Sequence, residues 1–149
     1  DLFGYSIIHG GLYTLSAGAN HSAQYGLKET LKEANEGRYN FVEGVREYEG
    51  RAKKMKQIIL EAGFKLVYDK DENQPISDGF YFTFSFPGME GSELLEKLIY
   101  YGISAITLDI TGSERTEGLR ACVSQTGEDQ FQDMEYRLKQ FQQDHLKSV

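Results

Sequence analysis

From Ser22 onward the apolar residues fall at helical spacing. Ala23, Leu27, Leu31 and Ala34 share one stripe, Ser22 stands as N-cap, and Asn35-Glu36-Gly37 ends the run. A longer helix is predicted over 41–62, where Val42, Val45, Tyr48, Ala52, Met55, Ile59 and Ala62 recur at threes and fours and Gly63 supplies the stop. Gly44 and Gly50 weaken its middle. The period then falls to two. Residues 64–68 read as a strand and 69–78 as a polar loop carrying Pro75. Residues 79–86 read as a second strand, with Phe80, Phe82, Phe84 and Phe86 on one face against a helix layer. A third helix starts at Ser92 and buries Leu94, Leu95, Leu98 and Ile99 before Gly102. Residues 103–108 and 118–124 read as the third and fourth strands, joined by a mobile connection at 109–117 rich in Thr, Gly, Ser and Glu. Thr126-Gly127-Glu128-Asp129 reads as a capping box with Asp in the usual Glu or Gln place. It opens a last helix with Phe131, Met134, Leu138, Phe141 and His145 on one seam. The expected fold is α+β: a small, mainly antiparallel sheet of about four strands packed with helices, in the order ααββαββα.

Residues 1–20 carry Gly4, Gly10, Gly11 and Gly18 and no sustained period. They read as a connection arriving from elsewhere. The expected organisation is therefore an interdomain connection and linking helix over 1–35, followed by one domain over 36–149. A chain of 149 residues suffices for a domain with a real core, or for a piece of a larger protein.

Composition narrows the function classes. A net charge of −7 argues against nucleic acid, whose phosphates would be repelled. Lys53-Lys54-Met55-Lys56 is short, lies among acidic residues and reads as a solvated helix face. The single cysteine, Cys122, excludes an internal disulfide framework and reads as a core residue rather than a nucleophile. With no apolar run long enough for a bilayer and no leader pattern at its start, the chain is expected in the cytoplasm.

The usual chemical motifs do not occur. His9, His21 and His145 have no metal-ligand spacing, Gly10-Gly11 lacks the context of a phosphate loop, and there is no G-x-S-x-G elbow. Residues 69–73 lack the Gly and Glu of a calcium loop and read as a solvated hairpin loop. No catalytic, metal-ligating or cofactor-binding residue is assigned.

One residue stands out as a binding candidate. In Gly118-Leu119-Arg120-Ala121-Cys122-Val123-Ser124, Leu119, Ala121 and Val123 point one way, and Arg120, Cys122 and Ser124 the other. A lone strand arginine commonly serves only solubility. Held on a strand, however, its planar fork suits bidentate capture of a carboxylate.

From Ser22 on, the chain resembles the small, C-terminal domain of the fold type I pyridoxal-phosphate (PLP) enzymes, class I/II aminotransferases. Ser22-Ala23-Gln24 with Leu27 and Leu31 is similar to the family's helix entering the small domain. Tyr48-x-x-Arg51, running to Leu60-Glu61-Ala62-Gly63-Phe64, resembles its Tyr-x-x-Arg…Leu-x-x-x-Gly segment. Asp78-Gly79-Phe80-Tyr81-Phe82 resembles its Gly-x-Phe-Tyr strand, and residues 94–108 the helix and strand that follow. Gly118-Leu119-Arg120 and the last helix resemble its closing Arg strand and helix. The chain departs from the family at Asp109-Ile110-Thr111-Gly112-Ser113, where members often carry Pro-Gly-x-x-Phe-Gly.

The resemblance implies that Arg120 binds the substrate α-carboxylate. Fixing that group sets the Cα–H bond perpendicular to the cofactor ring and couples binding to domain closure. It implies a full-length parent that moves an amino group between an amino acid and a 2-oxo acid, as a cytoplasmic homodimer. PLP and its Schiff-base lysine belong to the parent's large domain, so no cofactor is expected on this chain, and the chain alone is expected to be inactive. Two alternatives stay open: a free-standing α+β module that binds amino acids or regulates, and a domain of a related PLP lyase or decarboxylase.

Overall fold

The computed structural model describes residues 2–76 and 79–146. Asp1 of the opening segment, Ser77 of the polar loop, Asp78 of the strand motif and the last three residues of the expected domain lie outside them. The chain divides into two compact units, Asp1–Glu43 and Gly44–Val149.

The first unit is helical. Residues 2–16 run from α1 (Leu2–Tyr5) through a π-helical segment (Ser6–Tyr13) into α2 (Thr14–Ser16). Gly10 and Gly11 put no side chain into the widened turns, and the Thr14 hydroxyl donates to the His9 carbonyl five residues back at 2.8 Å. Ala17 and Gly18, both at positive φ, stop the run. The next helix, α3 (His21–Asn35), is capped by Asn20, whose side-chain oxygen accepts the Ala23 N–H at 3.1 Å. Ser22, expected as the cap, instead donates its hydroxyl to Asn20.

Most of α4 (Phe41–Glu61) belongs to the second unit and buries Ala52, Met55, Ile58 and Ile59. After β1 (Lys65–Leu66) come β2 (Lys70–Asp71), β3 (Gln74–Pro75) and β4 (Tyr81–Ser85). Then follow α5 (Gly91–Tyr100), β5 (Ile106–Thr107), β6 (Leu119–Cys122) and α6 (Phe131–His145). One sheet has the order β1-β4-β6-β5 with every pairing antiparallel. A second is the hairpin β2-β3, turning through Glu72 at φ 51°.

The fold is therefore α+β with a four-stranded and a two-stranded sheet, in the order ααα-ββββ-α-ββ-α when the opening stretch from α1 to α2 counts as one helix. The expected order ααββαββα around about four strands is corrected. Two segments account for the difference. The opening helical stretch widens into π geometry and keeps no 3.6-residue stripe, and its apolar residues are exposed. The hairpin's strands are exposed on both faces, so no alternation marks them.

Several strands are shorter than expected. Thr83 explains β1: its carbonyl accepts the Val67 N–H and its hydroxyl oxygen the Tyr68 N–H, both at 3.1 Å, so the regular ladder breaks after Leu66. Helix α5 begins at Gly91 rather than behind a Ser92 cap. Ahead of α6 the Gly127 N–H donates to the Gln130 side chain at 3.0 Å, so Gln130 and not Asp129 completes the cap.

The core lies between the helices and one sheet face. Phe82, Phe84 and Phe86 pack there with Phe64, Leu94, Leu98, Leu119, Val123, Leu138 and Phe141. Phe80, expected in the same stripe, precedes the strand and is 47% exposed, edge-on to Tyr48 at 4.9 Å. Among the described residues, no helix is long and apolar enough to cross a membrane.

Candidate functional site

Strand β6 lies between β4 and β5, so Arg120 is braced on both sides, opposite Thr83 on one and Ile106 on the other. Leu119 and Val123 are fully buried in the core, and alternation therefore turns Arg120 and Cys122 to the opposite face. Tyr81, Thr83 and Ile106 share that open face. Arg120 is half-buried, with its guanidinium carbon 4.4 Å from the centroid of the Tyr81 ring. This is close stacking for a cation over an aromatic face.

Among the described residues no carboxylate pairs with Arg120. Arg38, Arg51, Arg115 and Arg137 each hold a Glu or Asp. Arg46 makes no such ion pair among the described residues either, but it is exposed on helix α4. Arg120 thus combines a rigid mount, partial burial and an unneutralised charge.

One end of the open face is closed by the connection between β5 and β6. A side chain at Gly118 would come within 2.6 Å of Leu108 and 2.8 Å of Val67, which pack over that glycine. Arg115 donates to Glu117 at 2.7 Å and to the Val67 carbonyl at 2.8 Å, and stacks over the Tyr68 ring at 5.5 Å. The Tyr68 and Ser113 hydroxyls are 2.7 Å apart. Thr116 donates to Glu90 at 2.8 Å and accepts the Gly91 N–H through its carbonyl, also at 2.8 Å. The segment read as mobile is tied down by these bonds. The hydrogen bond from Arg115 holds the Glu117 carboxyl below the usual glutamate range.

Gly91 carries part of this attachment. A β-carbon there would lie 2.6 Å from the Thr116 carbonyl oxygen and 2.7 Å from that of Gly118, both backbone atoms. Neither carbonyl can move without disturbing its bond, to Gly91 N–H in one case and Leu108 N–H in the other. Gly91→Ala is expected to cost about 2–3 kcal/mol, a value typical of overpacking against atoms that cannot yield. Urea denaturation checks it; an unchanged midpoint would contradict the close approach.

The remaining sequence candidates stay apart. Cys122, expected in the core, is half-buried on the open face with its sulfur 3.3 Å from the Ser124 hydroxyl. His9 lies against Tyr5 at 4.3 Å, and His145 stacks on Phe141 at 4.3 Å. Among the described residues no three metal-ligating side chains cluster.

The described residues do not fit PLP. Lys53, Lys97 and Lys139 are paired to glutamates on helix surfaces, and Lys65, on the open face, lies at its far edge opposite Ser85. Among the described residues, the strand partners of Arg120 are Thr83 and Ile106 and include no lysine. Tyr81, Thr83 and Ile106 were not singled out around Arg120 from the sequence. Alternation tells which face each occupies, but only the strand register brings them together. No family model matches the chain, and no curated protein shows significant similarity to it.

Proposed function

We propose that this chain is the C-terminal small domain of a fold type I PLP-dependent aminotransferase, with Arg120 as the clamp for the substrate α-carboxylate. The observation that carries the reading is the half-buried guanidinium on a central strand, stacked on Tyr81, facing outward and without a carboxylate partner among the described residues. A cation so placed in a chain of net charge −7 is suited to an anionic ligand from outside. The landmarks running in family order from Ser22 to the last helix add to it.

On this reading residues 1–35 connect and link, and residues 36–149 are the small domain. The cofactor and the lysine that carries it belong to a preceding large domain. The parent exchanges an amino group between an amino acid and a 2-oxo acid, works as a homodimer and resides in the cytoplasm. This chain's part is to bind and orient the substrate and to close over it.

The test is expression of the complete reading frame. Amino transfer between amino acids and 2-oxo acids, with the absorbance of a PLP Schiff base, is the expected result. A frame with no large α/β domain and no Schiff-base lysine before Asp1 would overturn the reading. In that case amino-acid binding by the chain alone would favour the free-standing module. A PLP enzyme that releases products without amino transfer would favour the lyase or decarboxylase.

A further inference from the structure

We infer that Tyr81 is the positioning residue of the Arg120 site, its ring holding the guanidinium ready for a carboxylate without taking up any of its N–H donors; this rests on the reading of Arg120 as carboxylate clamp. Strand β6 fixes the backbone of Arg120 between two neighbours, but a strand does not fix the end of a long, flexible side chain. Thr83 and Ile106, directly opposite Arg120, are too short to hold that end. Tyr81 is its diagonal neighbour, two residues from Thr83 along β4 and so on the same face. Diagonal positions on a sheet meet when one side chain is aromatic and the other long. Phe82 and Phe84 are buried in the core, which anchors β4 and turns Tyr81 to the open face, where its ring lies 4.4 Å from the Arg120 guanidinium carbon.

Two other arginines of the chain lie over tyrosine rings, and each is also held by a carboxylate. Arg51 lies 5.7 Å from the Tyr48 centroid and pairs with Glu47, and Arg115 lies 5.5 Å from that of Tyr68 and pairs with Glu117. The contact at Arg120 is closer than either, and among the described residues neither a carboxylate nor a hydrogen bond holds its fork. The difference matters for a ligand. An arginine ordered by an ion pair must give up that pair before it can bind another anion, whereas one ordered by a ring keeps its donors free. A side chain already in place also loses less freedom when the ligand arrives, and the carboxylate is met in a fixed orientation. The Tyr81 hydroxyl makes no hydrogen bond to a described residue, so the contact belongs to the ring.

The experiment uses the full-length protein, with pyruvate or 2-oxoglutarate as acceptor and the best donor among L-alanine, L-leucine, L-phenylalanine, L-aspartate and L-glutamate. The amine corresponding to that donor, which lacks the carboxylate, serves as control. Tyr81→Ala and Tyr81→Leu are each expected to lower kcat/KM for the amino acid by about tenfold, with the amine and the cofactor content unaffected. Tyr81→Phe keeps the ring and should stay within about twofold of wild type. In an Arg120→Ala background, Tyr81→Ala should cost nothing further, because a residue that acts through the guanidinium has nothing left to position. An equal loss on the amine would overturn the inference, as would a Tyr81→Phe variant as poor as Tyr81→Ala or a further tenfold loss in the Arg120→Ala background. Tyr81 would then touch substrate or cofactor directly, and the aminotransferase reading would stand. Absence of amino transfer from every donor by the wild-type protein would overturn that reading, and this inference with it. If Tyr81→Ala does not fold, Tyr81→Leu and Tyr81→Phe decide.

Discussion

In the full-length enzyme proposed above, Arg120→Ala is expected to lower kcat/KM for α-amino acid donors by about a thousandfold, with the cofactor still bound. A hydrogen bond to a charged group is worth about 1.5–3 kcal/mol, and the guanidinium fork makes two to one carboxylate. Allowing for residual binding by Thr83 and by the rest of the substrate, about 4 kcal/mol is lost, or three powers of ten. Arg120→Lys keeps the charge but not the fork, and should recover only part of the activity. The fold should be unaffected, because Arg120 is half-buried and its stacking on Tyr81 contributes no more than about 1 kcal/mol. Steady-state kinetics with an amino acid and with the corresponding amine, which lacks the carboxylate, make the test specific. The variant should lose activity towards the first and not towards the second. Equal kinetics of variant and wild type on amino acids would remove Arg120 from the site.

The orientation of Arg120 was readable because three apolar positions, Leu119, Ala121 and Val123, alternate with it and enter or adjoin the core. The phenylalanines of β4 were readable for the same reason, up to Phe80, where the strand has not yet begun. Period-two patterning reports a buried face and nothing more. It is silent for β2 and β3, which bury neither face, and it overstates β1, because Thr83 diverts the Tyr68 N–H from backbone to side chain. It does not give register either. The joining of Thr83, Arg120 and Ile106 into one row depends on pairings between strands far apart in the chain. The opening helical stretch was missed on different grounds. Its apolar residues, such as Leu2, Phe3 and Leu15, are exposed, and its π turns follow neither helical nor strand spacing. The attachment of the connection before β6 was hidden for yet another reason. Arg115, Thr116 and Gly91 bind to backbone groups and side chains of other segments, and local composition does not record that.

Phe141→Ala is expected to destabilise the second unit by about 3–5 kcal/mol, the range for deletion of a buried aromatic ring. Domains of this size have about 5–15 kcal/mol in all, so the loss is a large part of the total. Phe141 is 0% exposed and sits among Phe64, Phe86 and Tyr101 at centroid distances of 5.5, 5.1 and 5.3 Å, with His145 stacked on it at 4.3 Å. The cost should lie at the upper end of the range because these neighbours cannot easily collapse into the space. Phe64 follows the positive-φ Gly63 that ends the α4 turn, and Phe86 adjoins β4. Tyr101 is held by its hydroxyl donating to Asp144 at 2.7 Å, and burial together with that carboxylate raises its pKa above the ordinary tyrosine value. Phe141→Leu leaves less empty volume and should cost well under half as much. With no tryptophan in the chain, urea denaturation followed by far-UV circular dichroism is the suitable measurement. A loss below about 1 kcal/mol would mean that α6 does not close the core in the way its buried seam indicates. Because Arg120 stands on the opposite face of the sheet from Phe141, the alanine variant of the full-length enzyme should lose thermal stability while its KM for amino donors stays near wild type at temperatures where it remains folded.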